Sequence, residues 1–334
     1  MSEGSTVQGG ASTKKSTFAD SVQDHVAKTV VGQDIVLERT LISLLTGGHL
    51  LLEGVPGTAK TLMVQSVAHA IELAFGRVQF TIDLLPSDIV GSEILDKDSG
   101  EFRIHKGPIF ANLMLADEIN RASPKVQSAL LEAMQERKVT IGDHSFSLPA
   151  PFLVIATQNP VEQAGTFELP EAQLDRFLMR HRLTYLEPDD ETEVLHRALK
   201  LKLKRSDDGG AMPMTAFDSI EKKAPLAISD LTAAMEQVLE VHVSEVFVRH
   251  CVDLVNQTRN HPDIELGGSP RAGIALVTAS RARAYLHGRD YVVPEDIFAL
   301  AEDIVLHRIR LSYEAVARGR TGEQVLAEIL DQLS

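Results

Sequence analysis

Four short runs of the chain, HLLLE (49–53), VQFTI (78–82), NLMLAD (112–117) and FLVIAT (152–157), are apolar almost without interruption. A half-exposed strand would alternate apolar and polar residues, so these runs read as strands covered on both faces. Helical periods lie between them. TLMVQSVAHAIELAF follows the first run, and SPKVQSALLEAMQER follows the third, opened by Ser123 as a cap and Pro124 as its first helical residue. Parallel neighbours need crossovers of about a dozen residues or more, and helices that serve as crossovers cover the sheet. The predicted fold class over 19–187 is therefore α/β, a parallel sheet with helices on both faces.

Past residue 187 the pattern changes. SDDGGAMPM (206–214) reads as a loop, and the rest reads as helical throughout: ISDLTAAMEQVLE, VSEVFVRHCVDLVNQTR, SPRAGIALVTASRARAYLHG, VPEDIFALAEDIVLHRI and TGEQVLAEILDQL. Ser269 with Pro270, and Pro294 with Glu295 and Asp296, are helix starts. A small all-helical domain over 188–334 is expected, and a chain of 334 residues accommodates two domains. Residues 1–18 are polar and rich in Gly, Ser and Thr. They are expected to form a flexible tail, with no apolar segment of the kind a signal peptide carries.

Composition narrows the chemistry. Asp and Glu outnumber Lys and Arg by 47 to 33, a formal charge of −14, which disfavours a nucleic-acid backbone as partner. The single cysteine, Cys251 in VRHCVDLV, reads as a buried inert thiol. It can form no internal disulfide, which fits a reducing, cytoplasmic setting. No apolar run approaches the roughly 20 residues of a membrane helix. The 12 histidines form no HExxH or Cys/His pairing, so no protein-built zinc site is expected, and His181, His196 and His250 read as surface or packing residues.

The strongest chemical signal stands between the first apolar run and its helix: Gly54, Val55, Pro56, Gly57, Thr58, Ala59, Lys60, Thr61 and Leu62. A phosphate cradle needs a sharp turn out of a strand, backbone N–H groups aimed at the anion and a helix N-terminus behind them. Gly54 and Gly57 supply the turn and close approach, Lys60 a cation, and Thr61 a hydroxyl for Mg2+. Ala59 replaces a third glycine. A residue entering a helix is expected to need no positive φ there, so alanine should cost little. The loop alone also fits an ordinary turn with a surface lysine. Two further strand ends add weight: one closes in Asp117 and Glu118, a carboxylate for a metal and another for the attacking water, and FLVIATQN closes in Asn159. Ligands of open parallel sheets bind at such carboxyl ends.

LLLEGVPGTAKT, GPIFANLMLADEINRA, LLEAMQE, VIATQNP, LPEAQLDRF and GSPRA together resemble the MoxR family of AAA+ ATPases, on the magnesium-chelatase and MCM side of AAA+, across about residues 20 to 320. That family commonly carries Ala before the lysine. The resemblance implies ATP and Mg2+ as cofactors, with Thr61 and Asp117 holding the metal through water and Lys60, Glu118 and Asn159 acting on the γ-phosphate. It implies that Arg176 is an arginine finger reaching a neighbouring subunit's nucleotide. Arg271 would be the second sensor, in its own or a neighbour's site, and Val31, Gly32 and Gln33 would pack on the adenine. Segments 90–108 and 138–150 would be hairpin inserts, which in relatives face a pore and touch the client. Arg121 has no assigned role. The implied assembly is a homo-oligomeric, hexameric ring in the cytoplasm that remodels or matures a client protein, by metal or cofactor insertion among other routes. Its implied partner is a protein with a von Willebrand factor A domain, with neither membrane insertion nor nucleic acid. A DNA-acting motor and an ATP-dependent switch with little turnover are the alternatives.

Overall fold

The structure, a computed structural model, describes residues 17–54, 57, 59–96, 100–160, 165–205, 210–221 and 223–333. Helices α1 (Thr17–Ala27) and α2 (Asp34–Thr46) lead into β1 (Leu50–Glu53), α3 (Lys60–Ala70) and β2 (Phe75–Gln79). Then α4 (Pro86–Val90) opens a hairpin of β3 (Gly91–Leu95) and β4 (Phe102–Lys106). β5 (Leu113–Asp117), α5 (Pro124–Glu136), a second hairpin of β6 (Lys138–Ile141) and β7 (His144–Ser147), β8 (Leu153–Gln158), α6 (Glu171–Leu174) and β9 (Met179–Arg182) complete the first part. The second part holds α7 (Pro188–Leu199), a hairpin of β10 (Leu203–Arg205) and β11 (Ala211–Pro213), α8 (Ile228–Glu240) and α9 (Glu245–Asn260). After them come β12 (Ile264–Leu266), α10 (Pro270–Leu286), α11 (Pro294–Val305), β13 (Arg310–Leu311), α12 (Tyr313–Ala317) and α13 (Gly322–Asp331).

Five strands form the central sheet in the order β2-β5-β8-β1-β9, and every neighbouring pair is parallel. Side chains alternate between its faces as the pleat requires. Leu50, Leu52, Leu113, Leu115, Leu153 and Ile155 join a core with α2, α3, α8 to α11 and α13. Leu51, Met114, Ala116, Val154 and Ala156 join the core on the other face, with Val126, Leu130 and Leu131 of α5. The register sets Gln79 beside Asp117 and Glu53 beside Gln158, so the strands end together at one edge, where the site lies. Both expected hairpins are present; Lys97, Asp98 and Ser99 of the first turn lie outside the described residues.

Several expectations need correction. The helix after the phosphate loop stops at Ala70, and Glu72 turns the chain with φ 51°. Phe75 therefore starts a strand that the sequence places at 78–82, and Ile82 is exposed. β9, with the sequence MRHR, lacks the apolar signature because it is an edge strand whose charges are matched. Arg180 Nε donates to Glu53 Oε2 at 2.7 Å, and His181 Nδ1 lies 2.9 Å from Asp303 Oδ1. The second part is not all helical, since β10 and β11 pair antiparallel across a turn whose residues 206–209 lie outside the described set, and β12 pairs with β13. Thr17 and Phe18, expected in the flexible tail of 1–18, instead belong to α1, which buries Phe18; residues 1–16 lie outside the described residues.

Candidate active site

The phosphate loop leaves β1 while still tied to β8, the Gly54 amide donating to the Gln158 carbonyl at 3.1 Å. Val55, Pro56 and Thr58 lie outside the described residues. Gly57 has φ 90°, and a Cβ there would point into open space, leaving its backbone free for a ligand. Ala59 corrects the expectation made for it: it holds a left-handed conformation, φ 55° and ψ 20°, as the residue before α3. A sharp turn into the helix demands positive φ here in place of ordinary helical entry. Lys60 Nζ donates to the Gly54 carbonyl at 2.8 Å, closing the loop on itself. Burial pushes the Lys60 ammonium below its ordinary value, and the carboxylates of Asp117 and Glu118 push it back up.

Asp117 ends β5 and Glu118 follows it, and one hydroxyl joins them. Thr157 of β8, buried, donates through Oγ1 to Asp117 Oδ1 at 2.7 Å and accepts the Glu118 amide at 2.8 Å. The other Asp117 oxygen accepts from Arg77 Nη2 of β2 at 2.8 Å. Glu118 is left-handed, φ 57°, and pairs with Arg121 Nε at 2.9 Å. Asn159, just past β8, is buried. Thr157, Arg77 and the contact of Arg121 escaped the sequence reading, because each depends on strand register or on a local turn.

Lys60, Thr61, Leu62, Asp117, Glu118 and Asn159 line one crevice of about 340 Å³, together with Gly57, Ala59 and Thr157. A second, more apolar cavity of about 540 Å³ shares Gly57, Ala59 and Leu62 with it and extends to Val31, Leu186, Val194 and Met214. Gly32, with φ 67°, packs so closely that a Cβ would fall 2.4 Å from Asp190 Oδ2. Gln33 is buried ahead of α2, and of Val31, Gly32 and Gln33 only Val31 lines the cavity. Phe217 in the first cavity and Met214 in the second come from the segment after β11, which no sequence signal connected with the site. A polar chamber at a helix N-terminus, opening into an apolar one, fits a nucleoside triphosphate. Thr61 and Asp117 face that polar chamber together and fit a hydrated Mg2+.

Two predicted residues lie elsewhere. Arg176, half-buried, lines neither cavity. Arg271 sits in the first turn of α10, where Ser269 Oγ accepts its amide at 3.2 Å, and its Nη1 lies 3.4 Å from Asp175 Oδ2. The remaining cysteine and histidine readings concern packing. Burial pushes the Cys251 thiol up to about 12, in keeping with an inert group; His181 pairs with Asp303, and His196 is exposed.

A model of the ATPase family associated with various cellular activities (AAA) matches residues 49–179, and one of the AAA lid domain matches 256–329. The chain is 42% identical to "Chaperone MoxR1" of Mycobacterium tuberculosis over 93% of this chain and 80% of that protein. It is 43% identical to "Uncharacterized protein YeaC" of Bacillus subtilis over 92% of this chain and 91% of that one. A solved structure from Cytophaga hutchinsonii is similar with a TM-score of 0.83 and 43% identity, over 95% of both chains.

Proposed function

The chain belongs to the MoxR family of AAA+ ATPases and hydrolyses ATP, and we propose that it does so in the crevice at the carboxyl ends of β1, β5 and β8, as one subunit of a ring. The convergence of Lys60, Asp117, Glu118 and Asn159 on one chamber carries this reading. The backbone at Gly57 and Ala59, the N-terminus of α3 and Lys60 bind the phosphates. Thr61 and Asp117 hold Mg2+, which when bound neutralises charge on the phosphate oxygens. Glu118 orients the attacking water and takes its proton, Asn159 hydrogen-bonds water and γ-phosphate, and the products are ADP and phosphate. Val31, Leu62 and Met214 enclose the base, with Gly32 and Gln33 shaping the wall behind Val31.

Arg176 completes the crevice of the neighbouring subunit, and its position outside its own crevice supports that role. Arg271 senses nucleotide state from the lid. In this reading residues 19–187 are the nucleotide-binding core and 188–334 the lid. The ring is a hexamer working in the cytoplasm, chaperone-like, on a client protein, with a von Willebrand factor A domain protein as partner. The name of the M. tuberculosis relative supports the chaperone part. Ile94, Leu95 and Phe102, exposed on the first hairpin, support client contact there. Metal or cofactor insertion is the form of maturation that the resemblance favours. The shared site is tested by mixing two variants, each expected to keep only a small, measurable residue of turnover alone. Arg176→Ala subunits combined with Glu118→Gln subunits should regain part of wild-type turnover, because intact fingers then meet intact pockets. No recovery at any ratio overturns the shared site.

A further inference from the structure

Residues 175–178 link α6 to β9 and carry Arg176, and one side chain from the helical part holds this link on both sides of the arginine. Arg308, in the 3-10 turn Leu306–Arg308 after α11, has a side chain only 3% exposed. Its Nε donates to Asp175 Oδ1 at 2.8 Å, its Nη2 to the Phe177 carbonyl at 2.6 Å and its Nη1 to the Leu178 carbonyl at 3.2 Å. A second bond from Nη1, to the Ile304 carbonyl, fixes the guanidinium to its own helix. His307 Nε2 lies 3.3 Å from the same Phe177 carbonyl. A planar group with five N–H donors can bracket a backbone in this way, and an ammonium cannot. Arg176 itself stays outside the clamp: its amide donates to Gln173, and among the described residues its guanidinium makes no hydrogen bond or ion pair.

We propose that Arg308 is the positioning residue for Arg176, setting through Asp175, Phe177 and Leu178 where the helical part presents that arginine to a neighbouring subunit. This rests on the role of Arg176 proposed above. The Asp175 carboxylate is shared: its Oδ2 also accepts from Ser269 Oγ at 3.2 Å and pairs with Arg271 Nη1 at 3.4 Å. The start of α10 and the end of α11 thus meet on the residue before the finger. A shift of Arg271 or of the 3-10 turn in one subunit is transmitted to the arginine that it offers the next.

The test uses Arg308→Lys and Asp175→Asn in the full chain. The second keeps the test open if the first does not fold, since the Asp175 side chain is 20% exposed and Asn preserves its shape. Turnover per site should fall by about tenfold or more, while affinity for a fluorescent N-methylanthraniloyl ATP stays within about twofold of wild type. Neither substitution should lower turnover further on an Arg176→Ala background. Each variant should regain turnover when mixed with Glu118→Gln subunits, as Arg176→Ala does. Loss of nucleotide affinity in step with turnover overturns the proposal. So does additional loss on the Arg176→Ala background, or failure to recover in a mixture where Arg176→Ala recovers. If the Arg176→Ala mixture itself stays inactive, the shared site falls instead, and the double variants alone decide whether Arg308 acts through Arg176.

Discussion

Thr157 is one hydroxyl serving both acidic positions: it donates to Asp117 and accepts the Glu118 amide. Thr157→Val keeps the shape and removes both bonds. The orphaned amide and the misaligned carboxylate together should cost about 1–3 kcal/mol of stability. Turnover should fall more than nucleotide affinity, read by calorimetry beside steady-state ATPase assays. Unchanged turnover would deny Thr157 a part in aligning the acids. The pattern of residues in the chain made Lys60, Asp117, Glu118 and Asn159 legible, because each closes a strand or opens a helix beside it. Thr157 and Arg77 were not legible, since their partners are fixed by the β2-β5-β8 register, which no local pattern carries. Ala59 shows a different limit. Helix propensity favours alanine at that position, yet the turn holds it at φ 55°, a conformation that costs a residue with a Cβ roughly 1–2 kcal/mol.

Helix α11 opens on a buried charge. Asp296 is fully buried and accepts from Arg283 Nη1 at 2.6 Å, from Arg289 Nη2 and Nη1 at 2.6 and 2.9 Å, and from the Val293 amide at 2.9 Å. Burial alone would raise its carboxyl, but the bonds from Arg289, Val293 and Arg283 outweigh it and hold the group below its ordinary value near 3.8. Folded protein therefore binds this proton less readily than unfolded protein. The stabilisation is complete above that ordinary value and is lost as the pH falls through the lower folded one. Asp296→Ala takes from Arg289 its carboxylate partner and leaves Arg283 with Glu38 alone, 3.2 Å away, and should cost about 3–5 kcal/mol. Urea unfolding should detect that loss at neutral pH, with the difference from wild type shrinking in acid below the ordinary carboxyl range. A loss that did not shrink in acid would contradict the charge-based origin. The sequence marked Asp296 as part of a helix start, and the ion cluster behind it depends on α10 folding back. Among elements, the covered strands were read well. β9 and the β10–β11 hairpin were not, because an edge strand with matched charges and a short exposed hairpin lack the continuous apolar run that announces burial.

At the scale of the molecule, the helical part is built into the core of the sheet. Residues of α2 and α3 share one apolar cluster with α8 to α11 and α13, and Arg39 of α2 donates to Asp303 of α11 at 2.6 Å. A displacement of these helices would therefore be felt by the helix that follows the phosphate loop. That an α/β part is followed by a mostly helical one was legible from the shift in pattern; the depth of this shared core was not, since it arises from contacts between distant segments. The arginine expected to stabilise the transferring phosphoryl lies outside the crevice of its own chain. Such a residue is worth about 10³ to 10⁵ in rate, or roughly 4–7 kcal/mol. ATPase activity per subunit should therefore rise with protein concentration across the range where sedimentation detects assembly. Constant activity on dilution to monomer would place a complete site within one chain. The central claim, that nucleotide is held and cleaved between the phosphate loop and the end of β5, is tested most directly by separating binding from hydrolysis. Binding of N-methylanthraniloyl ATP and phosphate release are measured on Lys60→Ala and Glu118→Gln. Lys60→Ala should lose the nucleotide, and Glu118→Gln should retain it at near wild-type affinity without releasing phosphate. Equal loss of binding in both variants, or wild-type phosphate release from Glu118→Gln, would contradict the claim.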